Sequence, residues 1–263
     1  MIPCDLFVDI DDARFHCRID GEAGAPALVL CNGLGTDLGM WDPQIAALAN
    51  TFRVVRYDSR GHGTSSVTPG PYSIERLGRD VVGLFDALRI ERAHFCGLSM
   101  GGITGMWLGI HFPQRLQRLV LANTAARIGS ADTWNTRIEK VRGGGVPAIS
   151  LAVVERWFTP AFLAGNAATI ADMLQMMERT PAEGYIACCA AIRDMDLRDG
   201  VAAITAPTLV IAGTHDIATP VADGRFLADR IAGAQFNELD AAHISNIEAG
   251  PAFTHALLAF LNA

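Results

Sequence analysis

Residues 93–102, which read AHFCGLSMGG, constrain the fold of this chain more than any other segment. Four residues with β-forming character lead into Gly97-Leu98-Ser99-Met100-Gly101, a G-x-S-x-G sequence, and residues 100–111 fit a helix. A serine hydroxyl is a poor nucleophile unless it stands clear of the backbone, beside a base and beside oxyanion donors. A sharp strand-to-helix turn holds it in that way, and glycines on both sides of the serine remove side chains that would clash there. The segment therefore predicts a nucleophile, Ser99, at the start of a helix.

Apolar runs with β-forming character alternate with helix-like segments along most of the chain. The run 27–31 (ALVLC) is apolar throughout, as expected for a central strand that is covered on both faces. Two runs on either side of Asp11 and Asp12 predict a β-hairpin. Such alternation predicts an α/β fold, with a mostly parallel sheet of eight strands flanked by helices. The predicted strands are 5–10, 14–19, 27–31, 52–57, 93–96, 116–122, 207–212 and 235–239.

The alternation is interrupted in one long segment. Residues 123–200 contain no clear strand but several helical stretches rich in aromatic residues and methionine. A chain of 263 residues suits one large α/β domain with an inserted subdomain. We predict an α/β core formed by residues 1–122 and 201–263, with residues 123–200 as a helical cap above the carboxyl edge of the sheet.

A serine nucleophile needs a base, and the base needs an acid that orients it. Asp216 and His243 follow the last two predicted strands. The carboxyl ends of parallel strands form the edge at which open α/β sheets place their sites. The chain order Ser99, Asp216, His243 is also the order that accompanies a G-x-S-x-G serine. These three residues are the predicted catalytic triad.

Other residues compete for these roles. His62 also follows a strand, but it lies in a tight R-G-H-G loop, and as the base it would precede both serine and acid in the chain. His215 adjoins Asp216 and is expected to point elsewhere. The alternative place for the acid, directly after strand 116–122, holds Asn123 and Thr124, neither of which carries a carboxylate.

The oxyanion hole is expected to combine two backbone N–H groups. One belongs to Met100, which follows the nucleophile, and the other to Leu34 in the glycine-rich loop after strand 27–31. The alternative for that loop is a simple turn without a catalytic role.

Charge and cysteine usage narrow the functional classes. The net charge of −7 argues against a nucleic-acid or membrane-surface role, because both rely on basic patches. The amino-terminal MIPCDLFVDIDD does not read as a secretory signal, and no apolar run approaches the roughly 20 residues that span a bilayer. The six cysteines form no metal-type C-x-x-C pair and predict a reduced, cytoplasmic protein. The alternative is a redox role for the adjacent Cys188 and Cys189.

Six segments together resemble a known family. They are NGLGTD (32–37), YDSRGHG (57–63), FCGLSMGG (95–102), LANTAARIGS (121–130), GTHD (213–216) and HISNIEA (243–249). They are similar to the α/β-hydrolase superfamily and, more narrowly, to the 3-oxoadipate enol-lactonases of the bacterial β-ketoadipate pathway for aromatic degradation. The similarity extends over nearly the whole chain, and NTAARIGS is its most discriminating part.

The resemblance implies a carboxylic ester hydrolase that opens an anionic enol-lactone with a carboxymethyl arm to 3-oxoadipate. Ser99 would attack the ring carbonyl, His243 would take its proton, and Asp216 would hold the imidazole. The resemblance implies no metal and no organic cofactor. Arg127 is the candidate for binding the substrate carboxylate, and Trp134 could form a wall beside the ring. The oligomeric state is left open.

Four rival functions compete with this interpretation. A carboxylesterase or a carbon–carbon bond hydrolase on the same fold differs only in its cap, and fold does not determine substrate. A haloalkane dehalogenase is disfavoured because its nucleophile would be a carboxylate where Ser99 stands. A non-catalytic receptor on a hydrolase scaffold would have no need to keep nucleophile, base and acid together.

Overall fold

The sheet of the computed structural model agrees with the eight predicted strands. The structure describes residues 4–263, so residues 1–3, where the predicted core and the amino-terminal stretch begin, lie outside the described residues. Within this range eight strands form a single sheet in the order β1-β2-β4-β3-β5-β6-β7-β8. The strands are β1 (Cys4–Ile10), β2 (Ala13–Asp20), β3 (Ala27–Cys31), β4 (Arg53–Tyr57), β5 (Ala93–Leu98), β6 (Leu116–Ala122), β7 (Thr208–Gly213) and β8 (Gln235–Leu239).

The direction of the strands determines where a site can form. β2 is antiparallel to both of its neighbours, and β3 to β8 are parallel. The mostly parallel sheet is therefore confirmed. From β3 the chain moves to one side to form β4 and then returns to the other side of β3 to form β5. The loops after β3 and β5 diverge at this reversal, which opens a crevice at the carboxyl edge.

Helices surround the sheet. The helix Met100–His111 packs on β5 and β6, and the helix Val221–Arg230 packs on β7 and β8. In the described part of the chain, no helix has the length and apolar character needed to cross a membrane. The α-helices are α1 (Asp42–Leu48), α2 (Ile74–Ala87), α3 (Met100–His111), α4 (Ala131–Gly144), α5 (Ser150–Val154), α6 (Pro160–Gly165), α7 (Ala167–Glu178), α8 (Ala182–Asp194), α9 (Val221–Arg230), α10 (Ser245–Glu248) and α11 (Gly250–Leu261).

The segment between β6 and β7 is helical. It contains α4 to α8, and within the described residues it has no strand. α4 packs on α8, and the buried side chains of α4 are those of Trp134, Ile138 and Val141. The division into a core and a cap at residues 123 and 200 stays a prediction.

The turn from β5 to α3 requires its glycines. A Cβ on Gly97 would lie 2.1 Å from the carbonyl oxygen of Gly101, and a Cβ on Gly101 would lie 2.2 Å from the carbonyl oxygen of Cys31. Both contacts are with backbone, which has no flexible end that could move aside. Helix α3 therefore approaches β3 and β5 so closely that only glycine fits at these two positions.

We expect Gly97→Ala to lower the free energy of unfolding by about 3 kcal/mol, because the added methyl group must displace backbone. Gly143→Ala is the matched control, since Gly143 lies in α4 with no atom within 4 Å of an added Cβ. The control should be neutral or stabilise by up to about 1 kcal/mol. Urea unfolding followed by circular dichroism measures both, and equal stabilities would contradict the close approach.

Candidate active site

Ser99 occupies a strained position between β5 and α3. Its backbone angles are φ 56° and ψ −114°, in a region that non-glycine residues rarely adopt. Its N–H donates to the Ala122 carbonyl at 2.9 Å, and its own carbonyl accepts from the Thr124 hydroxyl at 2.8 Å. Because the N–H and the carbonyl of Ser99 are both held by hydrogen bonds, the strained backbone conformation is stable. In this conformation the hydroxyl faces the carboxyl edge of the sheet.

The fold brings Ser99, His243 and Asp216 together. His243 Nε2 lies 3.0 Å from Ser99 Oγ, although 144 residues separate them in the chain. His243 Nδ1 lies 2.7 Å from Asp216 Oδ2. With the ring proton on Nδ1, His243 donates to the carboxylate and Nε2 accepts from the serine hydroxyl. This arrangement suits removal of a proton from the hydroxyl.

The Asp216 carboxylate is held as an anion. Its Oδ1 accepts from the backbone N–H groups of Ala218 at 2.8 Å and Thr219 at 3.0 Å, and its Oδ2 accepts from the Thr219 hydroxyl at 2.7 Å. Burial raises the pKa of this carboxyl, but the His243 imidazole and the hydrogen bonds from Thr219 outweigh burial and hold the pKa of Asp216 below its usual range. An ionised Asp216 can stabilise an imidazolium at His243.

Two polar side chains hold the loop that carries His243. Asn123, at the position where a carboxylate is absent, donates through Nδ2 to Asp216 Oδ2 and to the Ala242 carbonyl, each at 3.1 Å. Glu248 accepts from the Ala242 N–H at 2.7 Å and from the Thr159 N–H at 3.0 Å. The residue before His243 is thereby connected to the predicted cap.

The loop after β3 lies against the nucleophile. A Cβ on Gly33 would be 3.6 Å from Ser99 Cβ, and Leu34 lines the cavity above the serine. Among the described residues, the N–H groups of Leu34 and Met100 have no hydrogen-bond acceptor. Met100 is the first residue of α3, where an N–H has no partner within the helix. Both predicted donors are therefore available, and their catalytic role stays a prediction.

A cavity of about 200 Å³ opens above the serine. Ser99 and His243 form its floor on the core side, and the inserted segment supplies most of its walls, from its helices and from its loops. In the described part of the chain, no group of three or more His, Cys, Asp or Glu side chains is arranged to hold a metal ion. The lining residues are Leu34, Ser99, Ile128, Gly129, Thr133, Trp134, Arg137, Val153, Arg156, Trp157, Ile192, Ile217, Ala218 and His243.

Comparison with known proteins agrees with this geometry. A family model for the alpha/beta hydrolase fold matches residues 26–144. The chain is 46% identical over 250 residues to 3-oxoadipate enol-lactonase 2 of Acinetobacter baylyi, covering 95% of this chain and 94% of that protein. It is 43% identical over 246 residues to 3-oxoadipate enol-lactonase 1 of the same organism, covering 94% and 92%. The chain belongs to the 3-oxoadipate enol-lactonase family of α/β-hydrolases.

A solved structure supports the same assignment. The enol-lactonase from Burkholderia xenovorans superposes with a TM-score of 0.97 at 49% identity, over 98% of this chain and 100% of that one. The α/β-hydrolase fold predicted from the motifs is confirmed. The protein is an enzyme of the enol-lactonase family, and its substrate is a small molecule.

The two predicted substrate contacts of this enol-lactonase family member differ in their position relative to the cavity, and their role in binding stays a prediction. Arg127 does not line the cavity, because its guanidinium extends to the exposed Asp196, 3.4 Å away. Trp134 does line the cavity, and its indole N–H donates to the Ile128 carbonyl at 2.6 Å.

Sequence reasoning missed the cations that the cavity contains, which are Arg137 and Arg156. Arg137 lies three residues after Trp134 on α4, with its guanidinium 4.9 Å from the indole centroid. Residues three apart share a helix face, so the choice of Trp134 carried a signal for Arg137. Arg156 follows α5 in a stretch without a comparable pattern.

The remaining histidines considered as bases lie elsewhere. His215 is exposed and pairs with Asp240 at 2.8 Å. His62 is buried in the loop after β4, where its Nε2 accepts from the Gly35 N–H at 2.9 Å. Neither of them reaches the Ser99 hydroxyl.

Proposed function

We propose that this enzyme hydrolyses 3-oxoadipate enol-lactone to 3-oxoadipate, in the cytoplasm and within the β-ketoadipate pathway. One observation carries the proposal. Ser99 Oγ lies 3.0 Å from His243 Nε2 on the floor of a cavity that also contains Arg137. A nucleophile with its base and a cation for a carboxylate together match a lactone that bears an acidic arm. The names of the Acinetobacter relatives support the same substrate.

The first half of the reaction acylates the serine. Ser99 Oγ attacks the lactone carbonyl while His243 Nε2 accepts its proton, and the Asp216 carboxylate stabilises the resulting imidazolium. The N–H groups of Leu34 and Met100 donate to the tetrahedral oxyanion. The ring C–O bond then breaks and expels an enolate, in which the negative charge is delocalised, so that it leaves more readily than a simple alkoxide.

The second half releases the product. His243 Nε2 gives the proton it took from Ser99 to the departing enolate, which becomes the enol and tautomerises to the ketone, and the imidazole is neutral again. The other end of the opened chain remains esterified to Ser99. His243 next accepts a proton from water, and the resulting hydroxide attacks the acyl carbonyl in the same oxyanion hole. Collapse of this second intermediate returns the proton to Ser99 and frees the carboxylate. One water is consumed for each lactone opened.

The cavity suits a small anionic ring. Its volume of about 200 Å³ is below the ~300–1,000 Å³ of sites that bind drug-sized ligands. Arg137 is half-buried, and among the described residues its guanidinium contacts the Tyr185 hydroxyl at 3.4 Å and the Trp134 ring but no carboxylate. A partly buried guanidinium without an acidic partner can form a charge-assisted bond with a ligand carboxylate. We therefore assign the carboxylate contact to Arg137 in place of Arg127.

The assay that tests the function is loss of the ultraviolet absorbance of freshly generated enol-lactone. Saturable turnover by the wild-type enzyme is expected, with much slower hydrolysis of simple aryl esters. No turnover of the lactone above background, together with rapid hydrolysis of aryl esters, would reject the lactonase in favour of a carboxylesterase on the same fold.

We expect Arg137→Met to lower kcat/KM for the enol-lactone by about 100-fold, the equivalent of one charge-assisted hydrogen bond of roughly 3 kcal/mol. The loss should appear mainly in KM, because the carboxylate is bound equally in the ground and transition states. Arg127→Met is the matched control and should stay within about threefold of wild type, since it removes only an exposed ion pair.

A second substrate separates charge recognition from general damage. An uncharged lactone of the same ring size should be hydrolysed equally by wild type and the Arg137 variant. A larger loss with Arg127→Met than with Arg137→Met would return the carboxylate site to Arg127.

A further inference from the structure

The oxyanion loop, residues 33–36, is a tight turn held by two hydrogen bonds at its base. The Thr36 N–H and the Thr36 hydroxyl both donate to the Gly33 carbonyl, at 3.3 and 2.9 Å. Gly35, the third residue of this turn, has φ +80°, the value that a type II turn requires at this position. The Gly33 carbonyl and the Leu34 N–H belong to one planar peptide. Holding the carbonyl therefore also fixes the direction of the Leu34 N–H.

The central peptide of the turn has a different anchor. The Gly35 N–H donates to His62 Nε2 at 2.9 Å, and both groups are buried. For Nε2 to accept, the ring proton must be on Nδ1, and Nδ1 lies 3.2 Å from the Arg60 carbonyl, to which it donates. One tautomer of His62 thus satisfies both contacts. In the opposite tautomer, the protonated Nε2 of His62 would face the Gly35 N–H, so two donors would meet. The unprotonated Nδ1 would face the Arg60 carbonyl, so two acceptors would meet.

The surroundings of His62 hold the ring in place. A Cβ on Gly61 would lie 2.6 Å from the Cα of Gly184 on α8, so the loop that carries His62 is pressed against the predicted cap. The Cys188 thiol, 4.0 Å from Nδ1, donates to the same Arg60 carbonyl. Burial lowers the pKa of His62 against smaller opposing contributions from the Arg60 carbonyl and Asp58. A neutral ring is the form that can accept from Gly35.

We propose that His62 is a positioning residue for the oxyanion hole, in which its neutral Nδ1–H tautomer holds the Gly35 peptide and thereby the direction of the Leu34 N–H. This inference rests on the proposed function, because it assumes that the Leu34 N–H receives the oxyanion. His62 does not line the cavity, so it is not assigned a contact with the substrate. Its loss leaves a buried Gly35 N–H without an acceptor, which favours rotation of the central peptide and misdirects the neighbouring donor.

The test uses two ligands that differ only in their ability to form an oxyanion. Both are ketones that carry the carboxymethyl arm. Ser99 Oγ adds to the carbonyl carbon of the trifluoromethyl ketone and forms a tetrahedral hemiketal anion. The methyl ketone binds without this addition. Their inhibition constants are measured against wild type, His62→Leu and His62→Gln. Gln places an amide oxygen near the position of Nε2 and restores the acceptor, which Leu lacks.

His62→Leu is expected to raise the inhibition constant of the trifluoromethyl ketone by about 10- to 100-fold. This is less than the ~10²–10³ loss of rate that follows removal of an oxyanion donor, because the Leu34 N–H is displaced but still present. The methyl ketone should stay within about twofold, and His62→Gln should recover most of the loss. Only folded enzyme contributes to a measured inhibition constant. Partial misfolding would therefore not weaken binding of one ketone and leave binding of the other unchanged. If the Leu variant does not accumulate, His62→Asn replaces it, since its shorter amide cannot reach Gly35.

The outcomes separate the two proposals. Selective weakening of the trifluoromethyl ketone with rescue by Gln supports the positioning role. Equal weakening of both ligands, or no weakening, overturns it while leaving the proposed function intact. A wild-type enzyme that binds the trifluoromethyl ketone no better than the methyl ketone rejects the serine mechanism itself, and the role of His62 falls with it.

Discussion

Replacing Ser99 by alanine is expected to lower kcat for the enol-lactone about 10⁶-fold while KM changes by no more than about threefold. The hydroxyl supplies the bond that forms in the first step, and the alanine enzyme must use water without an acyl intermediate. The cavity and the N–H groups of Leu34 and Met100 remain, so a residual acceleration of about 10³–10⁴ over the uncatalysed reaction should persist. Absorbance loss at high enzyme concentration measures both quantities.

Two controls make the result specific to the triad. Ser99→Ala combined with His243→Ala should be no more than a few-fold slower than Ser99→Ala alone, because the two residues act in one proton transfer and their effects do not add. Ser130→Ala removes the N-cap of α4, at a residue that does not line the cavity. It should cost about 1 kcal/mol of stability without a comparable loss of kcat. Retention of more than about 1% of kcat by Ser99→Ala would show that another residue is the nucleophile.

Asp216→Asn is expected to lower kcat about 10⁴-fold. The carboxylate accepts from His243 Nδ1 at 2.7 Å and so keeps the ring proton away from Nε2, which faces Ser99 at 3.0 Å. An asparagine amide must also receive the N–H groups of Ala218 and Thr219 with its single oxygen. Its NH₂ group then faces Nδ1, the ring adopts the opposite tautomer, and Nε2 can no longer take the serine proton.

Asp240→Asn is the matched control, since the exposed Asp240 also pairs with a histidine, His215. Its kcat should stay within about twofold of wild type, because this exposed contact lies outside the triad and contributes little. A loss with Asp240→Asn comparable to that with Asp216→Asn would contradict the assignment of the acid.

Asp216→Asn should also change how the free energy of unfolding depends on pH. The folded-state pKa of Asp216 is lowered, so its stabilising contribution is present above the unfolded pKa of about 3.9 and is lost as pH falls below it. Urea unfolding should therefore show a larger difference between wild type and Asp216→Asn at neutral pH than in acid. A difference that grows in acid would mean that Asp216 is neutral in the folded enzyme.

Much of the core was predictable because each local signal agreed with the final packing. β3, β6, β8 and α3 have the predicted bounds. For β3 the signal is a continuous apolar run, which predicts a buried parallel strand and which turn residues end. The strand before the nucleophile is two residues longer than predicted. Gly97 and Leu98 read as turn residues, yet they pair with Leu121 and Ala122 of β6. Pairing with a neighbouring strand overrode the local preference of glycine.

The placement of Ser99, Asp216 and His243 followed from topology. Each of them comes just after a parallel strand, and parallel strands present their carboxyl ends at one edge. The sequence could not show that Asn123 bonds to Asp216, or that Glu248 connects the His243 loop to Thr159. Those contacts depend on the angles at which loops leave the sheet.

The sequence by itself determined the hydrolase fold, the edge of the sheet that holds the site and the three residues of the predicted triad. These features depend on hydrophobic periodicity, turn chemistry and strand order, which act locally or through rules common to parallel sheets. Only the tertiary structure decided the wall of the cavity, where Arg137 stands and Arg127 does not. Helices such as α4 and α8 pack in many arrangements, so which of their side chains faces the serine depends on contacts between distant residues.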